Sequence, residues 1–168
     1  MFIILEGVVL LVKKVQKFIL LALLMAVVCS ALPAAATQFP VNLGTDHVNM
    51  QWWIVNAGVR EDGTPFAITR RFFTNETIRQ EIIDILMTRF GHPAELAGLL
   101  FGTEFEYEYT RDRTQFATVR ITHFSQPRMD GNLIHQTIFD NSCENTMRTY
   151  QAVDPNHAVG RALALIPR

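Results

Sequence analysis

The run Glu104-Phe-Glu-Tyr-Glu-Tyr109 alternates acid and aromatic at every step. An extended strand, whose successive side chains point to opposite faces, separates these two sets. It needs a neighbour that hides Phe105, Tyr107 and Tyr109, and Phe116 to Phe124 follows within hairpin distance. The loop between them decides the pairing. A two- or four-residue loop sets the aromatics opposite Arg120, Thr118 and Phe116, placing Arg120 among core rings. An odd loop, such as Asp112-Arg113-Thr114, pairs them with Ile121, Val119 and Ala117 and puts Glu106 across from Arg120. Because a one-residue slip moves every side chain to the other face, the odd loop is predicted. Glu104, Glu106, Glu108 and Arg120 then form the candidate interaction surface, a solvated face flanked by Thr118 and Thr122. Cross-strand pairs of this kind contribute only about 0.2–1 kcal/mol each, enough to favour a register.

The flanking sequence supplies more of the same sheet. His47 to Arg60 is rich in aromatic and branched residues, and Glu61-Asp62-Gly63-Thr64 carries an Asp-Gly hairpin signal before a strand over Pro65 to Phe73. Adjacent Trp52 and Trp53 must point to opposite faces, one into the core and one less buried. Thr74-Asn75 caps a helix over Glu76 to Phe90 that stops at Gly91, with Ile78, Ile82, Ile85 and Leu86 as its apolar stripe and Ile83, Met87 and Phe90 beside it, a face wide enough to lie across a sheet. Pro93 starts a second, shorter helix that runs to Gly102. Asp130-Gly131 marks another turn before a strand over Asn132 to Phe139. Residues 141–153 suit strand and helix equally, and Asp154-Pro155 opens a short terminal helix through Ile166. The fold class is therefore α+β: an antiparallel β-sheet meander with a helical pair packed on one face and a short C-terminal helix.

Ahead of this domain lie Lys13, Lys14 and Lys17, an apolar run from Phe18 to Leu32, and Pro33-Ala34-Ala35-Ala36. Charged region, apolar region and small-residue cleavage site stand in the order of an export signal. Cleavage after Ala36 makes residues 1–36 a signal peptide and residues 37–168 a single domain. Cys29, preceded by Val28 rather than a small residue, goes with the leader. The apolar stretch Phe2 to Val12 is unusual before such a cluster, and a true start near residue 12 accounts for it. The expected location is periplasmic or at the surface of a bacterial cell, with membrane contact only through the signal peptide.

Without the leader the chain has 12 arginines, no lysine and 15 acidic residues, a net charge of about −3. This balance offers nucleic acid no electrostatic footprint. Cys143 alone remains as a free thiol, so no internal disulfide forms, and burial is expected of it because a free cysteine behaves as a small hydrophobe. Its neighbour Glu144 disfavours the thiolate. Ser125 and Ser142 lie in no nucleophile elbow. Among His47, His92, His123, His135 and His157 no pair has ligand spacing; His123 and His135 sit on neighbouring strands and can converge, but lack a third ligand. No catalytic residue, cofactor or metal is assigned, and Asn75-Glu76-Thr77, a glycosylation sequon, is read as a helix cap.

Glu104-Phe-Glu-Tyr-Glu-Tyr, Gln115 to His123, Asp130-Gly131-Asn132-Leu-Ile and Asp154 to Leu165 occur in an order that resembles small exported proteins related to surface adhesin E. The resemblance covers roughly residues 104–166. It implies a mainly antiparallel sheet, exposure at a bacterial envelope, and binding to host or matrix proteins rather than catalysis. The chain departs from that pattern in lacking a lipid-attachment cysteine and a cysteine pair, and in the length of its helical segment 75–101. The preferred expectation is an exported, non-catalytic binding module with a protein partner, adhesin-like in its interaction. A homodimer through an edge strand or Cys143 is left open. The alternatives are a small extracytoplasmic enzyme or ligand-binding protein with a pocket between helices and sheet, and a periplasmic assembly factor.

Overall fold

A computed structural model describes residues 38–125 and 132–167. The leader, its cleavage site, the alternative start and the Asp130-Gly131 turn lie outside these residues. Strands β1 (Val41–Thr45), β2 (Gln51–Val59), β3 (Pro65–Phe72), β4 (Gly102–Tyr109), β5 (Gln115–Phe124) and β6 (Leu133–Ile138) follow one another across a single antiparallel sheet curled into a half-barrel. A two-residue strand β7 (Gln151–Ala152) adds to the far end of β5. Helices α1 (Glu76–Thr88) and α2 (Ala94–Ala97) form a close pair, and α3 (Ala158–Leu163) is the short C-terminal helix. The α+β meander, its helical pair and its terminal helix are as the sequence predicts.

Local chemistry sets most of the boundaries. At the β2–β3 turn, Arg60 N–H donates to the Thr64 carbonyl (2.9 Å), with Gly63 at φ 83° where a side chain would be strained. Trp52 is buried and Trp53 half-buried, on opposite faces. Asn75 Oδ1 accepts from the backbone N–H of Thr77 (3.0 Å) and Ile78 (3.4 Å), capping α1. The helix ends at Thr88, and Gly91, at φ 71°, lets His92 N–H reach back to the Leu86 carbonyl at 3.0 Å.

The β4–β5 pairing corrects the loop prediction. The loop is four residues, closed by Thr110 N–H donating to the Gln115 carbonyl (2.9 Å), and the adjoining pairs Tyr109–Phe116 and Tyr107–Thr118 belong to the even register. Val119 is then bulged out, and beyond it Glu106–Arg120 and Phe105–Ile121 belong to the odd one. One extra residue satisfies both demands: the turn keeps its preferred length, and Arg120 stays on the acidic face.

Other boundaries also move. The apolar face of α1 centres on buried Ile83 and Leu86, leaving Ile85 42% exposed. The second helix is one turn rather than a run to Gly102. Arg79 Nε takes the Leu100 carbonyl (2.7 Å), and Phe101 N–H already donates to Phe124 (2.9 Å) in extension of the sheet. Residues 141–153 are neither long strand nor α-helix: a 3₁₀ turn at Glu144–Thr146 precedes β7. Asp154 Oδ1 accepts from Asn156 N–H (2.9 Å) in a turn of its own, so α3 starts later, with His157 Nδ1 accepting from Val159 N–H (3.4 Å).

Two buried clusters lie under the helices. In the first, Ala158, Val159, Ala162 and Ile166 pack on Met50, Trp52, Ile54, Ala67, Tyr107 and Tyr109, and Ile78 of α1 joins its margin. The second joins Ile83 and Leu86 to Ala97, Leu100 and Ile134. Tyr109 donates its hydroxyl proton to the Val159 carbonyl at 2.8 Å, fixing α3 on the sheet. Gly160 lets α3 turn against its own entry loop: a Cβ there would stand 2.6 Å from Pro155 Cα and closer still to the Asp154 carbonyl oxygen. Gly160→Ala is therefore expected to destabilise the domain by about 1–3 kcal/mol, read as a lower urea midpoint at unchanged slope.

Candidate functional site

The half-barrel has an outer face that carries the acids of β4 and a helix-bearing face that carries its aromatics. On the outer face the expectation of a solvated patch is corrected. The side chains of Glu104, Glu106 and Glu108 are only 17%, 16% and 7% exposed, because arginines from four other segments lie over them. Arg70 of β3 reaches Glu104 at 2.9 Å, and Arg120 of β5 reaches Glu106 at 2.9 Å and Glu104 at 3.9 Å. Arg60, just past β2, reaches Glu106 at 2.7 Å and Glu108 at 3.7 Å. Arg148 Nη1 donates to both oxygens of Glu108 at 3.0 Å, and Tyr150 donates its hydroxyl proton to the same carboxylate at 2.5 Å. That bond is the leading cause of a raised Tyr150 pKa. Arg60 and Arg70 also stack over Phe66 (5.5 Å) and Phe124 (5.0 Å). Three carboxylates under four guanidiniums leave no free acid for proton transfer or cation binding on this face.

The helix-bearing face places a different arginine in a different setting. Arg71, next along β3, points to the side of Trp52 and Phe105, and its guanidinium sits over the rings of Trp52 (5.5 Å), Phe73 (5.4 Å) and Phe105 (5.3 Å). No carboxylate lies within 4.0 Å, and its Nε is buried without a hydrogen-bond partner among the described residues. Burial lowers its pKa, while Tyr107 and Asp46 act the other way. Asp46 itself is committed elsewhere, accepting from Trp52 Nε1–H (2.8 Å), Met50 N–H (2.8 Å) and Val48 N–H (3.1 Å). Two residues before Arg71 on the same face, the Oγ1 of fully buried Thr69 faces the Tyr107 phenol and has no other partner among the described residues. The Tyr107 phenol beside them has its pKa raised, chiefly by burial.

Three histidines join this polar group. Thr103, His123 and His135 are directly opposite one another on β4, β5 and β6, and Thr103 Oγ1 is hydrogen-bonded to His123 Nδ1 at 3.0 Å. The expected convergence of His123 and His135 is present, with ring centroids 6.3 Å apart. His92, from the α1–α2 loop, adds a contact that sequence reasoning missed: its Nε2 meets His135 Nδ1 at 2.9 Å, while Phe90 stacks on His135 at 4.0 Å. Among the described residues no three His, Cys, Asp or Glu side chains have the grouping of a metal centre. Arg71 had a signal in the sequence, the parity Ala67, Thr69, Arg71 along one strand face. His92 had none, because its position depends on where the helix hairpin docks.

Cys143 is exposed, which corrects the expectation of burial. It stands in the polar loop Asp140-Asn-Ser-Cys-Glu-Asn-Thr146 rather than on a core strand, with Sγ 3.4 Å from Thr146 Oγ1. That hydroxyl is the main cause of a lowered thiol pKa, against the expectation drawn from Glu144.

Both faces give measurable consequences. Glu108→Ala strips Arg148 and Tyr150 of their shared acceptor and is expected to cost about 2–3 kcal/mol, whereas Arg120→Ala on the more open part of the lattice costs about 1 kcal/mol or less; paired urea titrations compare them. Burial, followed by the charges of His135, Arg71 and His92, pulls the His123 pKa from 6.5 to about 4. The unfolded chain therefore binds this proton first as pH falls, so the stability tied to neutral His123 is complete above about pH 6.5 and is lost toward pH 4. Between pH 7.5 and pH 5 the wild type should lose on the order of 2 kcal/mol that His123→Gln does not lose, measured by denaturant midpoints at both pH values. Comparison with known proteins finds no matching family model, no matching curated protein and no matching solved structure.

Proposed function

We propose that the chain is an exported, non-catalytic binding module, and that its binding surface is the helix-bearing face of the half-barrel around Arg71. The observation that carries this reading is the contrast between the two faces. Outer-face charges are mutually satisfied, but Arg71 sits among aromatic rings beside the Thr103–His123 hydrogen bond with its own donors unspent among the described residues. Polar groups set in an apolar, partly enclosed surface are what a ligand site requires. Catalysis has less support: Cys143, the most nucleophilic side chain, has its polar contacts within its own loop, to Ser142 and Thr146. The lysine-led leader supports export.

A second reading, adhesion to a protein partner, is favoured by the outer strand β6, which carries no charge and exposes Leu133 (57%) and Ile138 (49%).

The two tryptophans test the first reading, because their indoles lie on opposite faces of β2. A panel of amino acids, short peptides, sugars and organic acids titrated into the ¹⁵N-labelled protein should move the Trp52 indole resonance. Ligands that move Trp53 and leave Trp52 in place would sink the assignment of the face. Export is checked by fractionation and amino-terminal sequencing, with a chain beginning at Thr37 outside the cytoplasm as the expected product. Full-length protein in the cytosol would overturn it.

A further inference from the structure

Resting on that reading, we infer that the ligand is a small organic monocarboxylate with a flat apolar body, and that Arg71 is the group that holds its charge. Most of the described arginines find partners, and Arg89, which has neither an ion pair nor a side-chain hydrogen bond among the described residues, is exposed. Arg60, Arg70, Arg79, Arg120 and Arg148 each lie within 4.0 Å of a carboxylate. Arg111, Arg113 and Arg161 donate to backbone carbonyls, although Arg161 Nε is, like that of Arg71, buried without a partner among the described residues. Arg71 does neither among the described residues, although it is the one enclosed by three rings and has a buried Nε. Stacking on aromatic faces attracts a cation but uses none of its in-plane donors, which lie around the edge of the guanidinium. A buried donor left without an acceptor opposes folding, so an acceptor in that plane would relieve a standing cost.

Charge and shape narrow the acceptor. One guanidinium is present at this spot, Asp46 lies beyond 4.0 Å with its oxygens engaged by Trp52, Met50 and Val48, and burial holds His123 neutral over the physiological range. A single negative charge suits one guanidinium, whereas a phosphate dianion calls for a second cation. The planar fork of arginine matches the two oxygens of a carboxylate. Thr69, on the same strand face, is fully buried beside the Tyr107 phenol and lies behind the guanidinium rather than at the surface. Trp52, Phe73 and Phe105 supply flat apolar walls for the rest of the molecule.

Sodium benzoate is the probe, with benzyl alcohol as its uncharged counterpart and inorganic phosphate as a different anion. Titrated into the whole mature domain and followed at the Trp52 indole, benzoate should saturate and the other two should not. Arg71→Lys, which keeps charge but not the fork, should weaken benzoate at least tenfold, and Arg71→Met should abolish it. Melting temperatures without ligand provide the control: Arg71→Met should unfold no lower than wild type, because it removes an unpaired cation. A markedly lower melting point with benzoate binding retained would make Arg71 a packing element and overturn the inference. Saturation by phosphate or benzyl alcohol in place of benzoate would overturn it too, while leaving the helix-bearing face as a binding site. Silence of Trp52 toward benzoate and the whole panel would remove both readings together.

Discussion

Glu104, Glu106 and Glu108 stand about 7 Å apart along one side of β4, while Phe105, Tyr107 and Tyr109 occupy the other. Three like charges in a row repel one another, and three rings must be kept from water, so a lone strand of this composition has no stable place in solution. The sheet answers both demands with neighbours. Arg70 and Arg120 come from the adjacent strands, Arg60 from one strand further, and Arg148 from the loop that follows β6. On the reverse side α3 lies over the rings, anchored through the Tyr109 hydroxyl. Nearly every long-range choice in the fold follows from giving β4 a cationic cover on one side and an apolar cover on the other.

Much of this was legible. Alternation identified β4, Asp62-Gly63 identified the β2–β3 turn, and Asn75 with Gly91 bracketed α1 to within two residues. The pairing of β4 with β5 was legible only in halves. Each candidate register described part of the ladder, and the Val119 bulge joining them has no local signature, since it exists to reconcile demands at two ends of a hairpin. The terminal helix was placed early because Asp154-Pro155 has the chemistry of a helix start. What overrode it was the Asx turn at Asp154 and the close passage of Gly160 over that turn. Cys143 shows the limit of composition: a thiol's average preference for burial says nothing once its neighbours are all polar.

Site residues divide along the same line. Glu104, Glu106, Glu108 and Arg120 are together as their parity requires, yet their burial came from Arg60 and Arg148, which are distant in sequence. Arg70 and Arg71 are adjacent, identical in type, and opposite in circumstance: one is absorbed into the outer lattice at 2.9 Å from Glu104, and the other is enclosed by rings without a counter-ion. Strand parity alone makes that difference.

The position of α3 bears on the order in which the molecule is built. Arg161 donates to the carbonyl of Leu43 across 118 positions of chain, and the first cluster is not closed until residues 158–166 have come back to β1, β2 and β3. Contacts of that span form late, since the loop between them must be ordered before they reward it. The nascent polypeptide thus has no finished nucleus to lock it prematurely, and it stays threadable for as long as its last helix is unmade. The export proposed for this chain would draw on that condition, since an exported polypeptide passes a narrow channel before it folds.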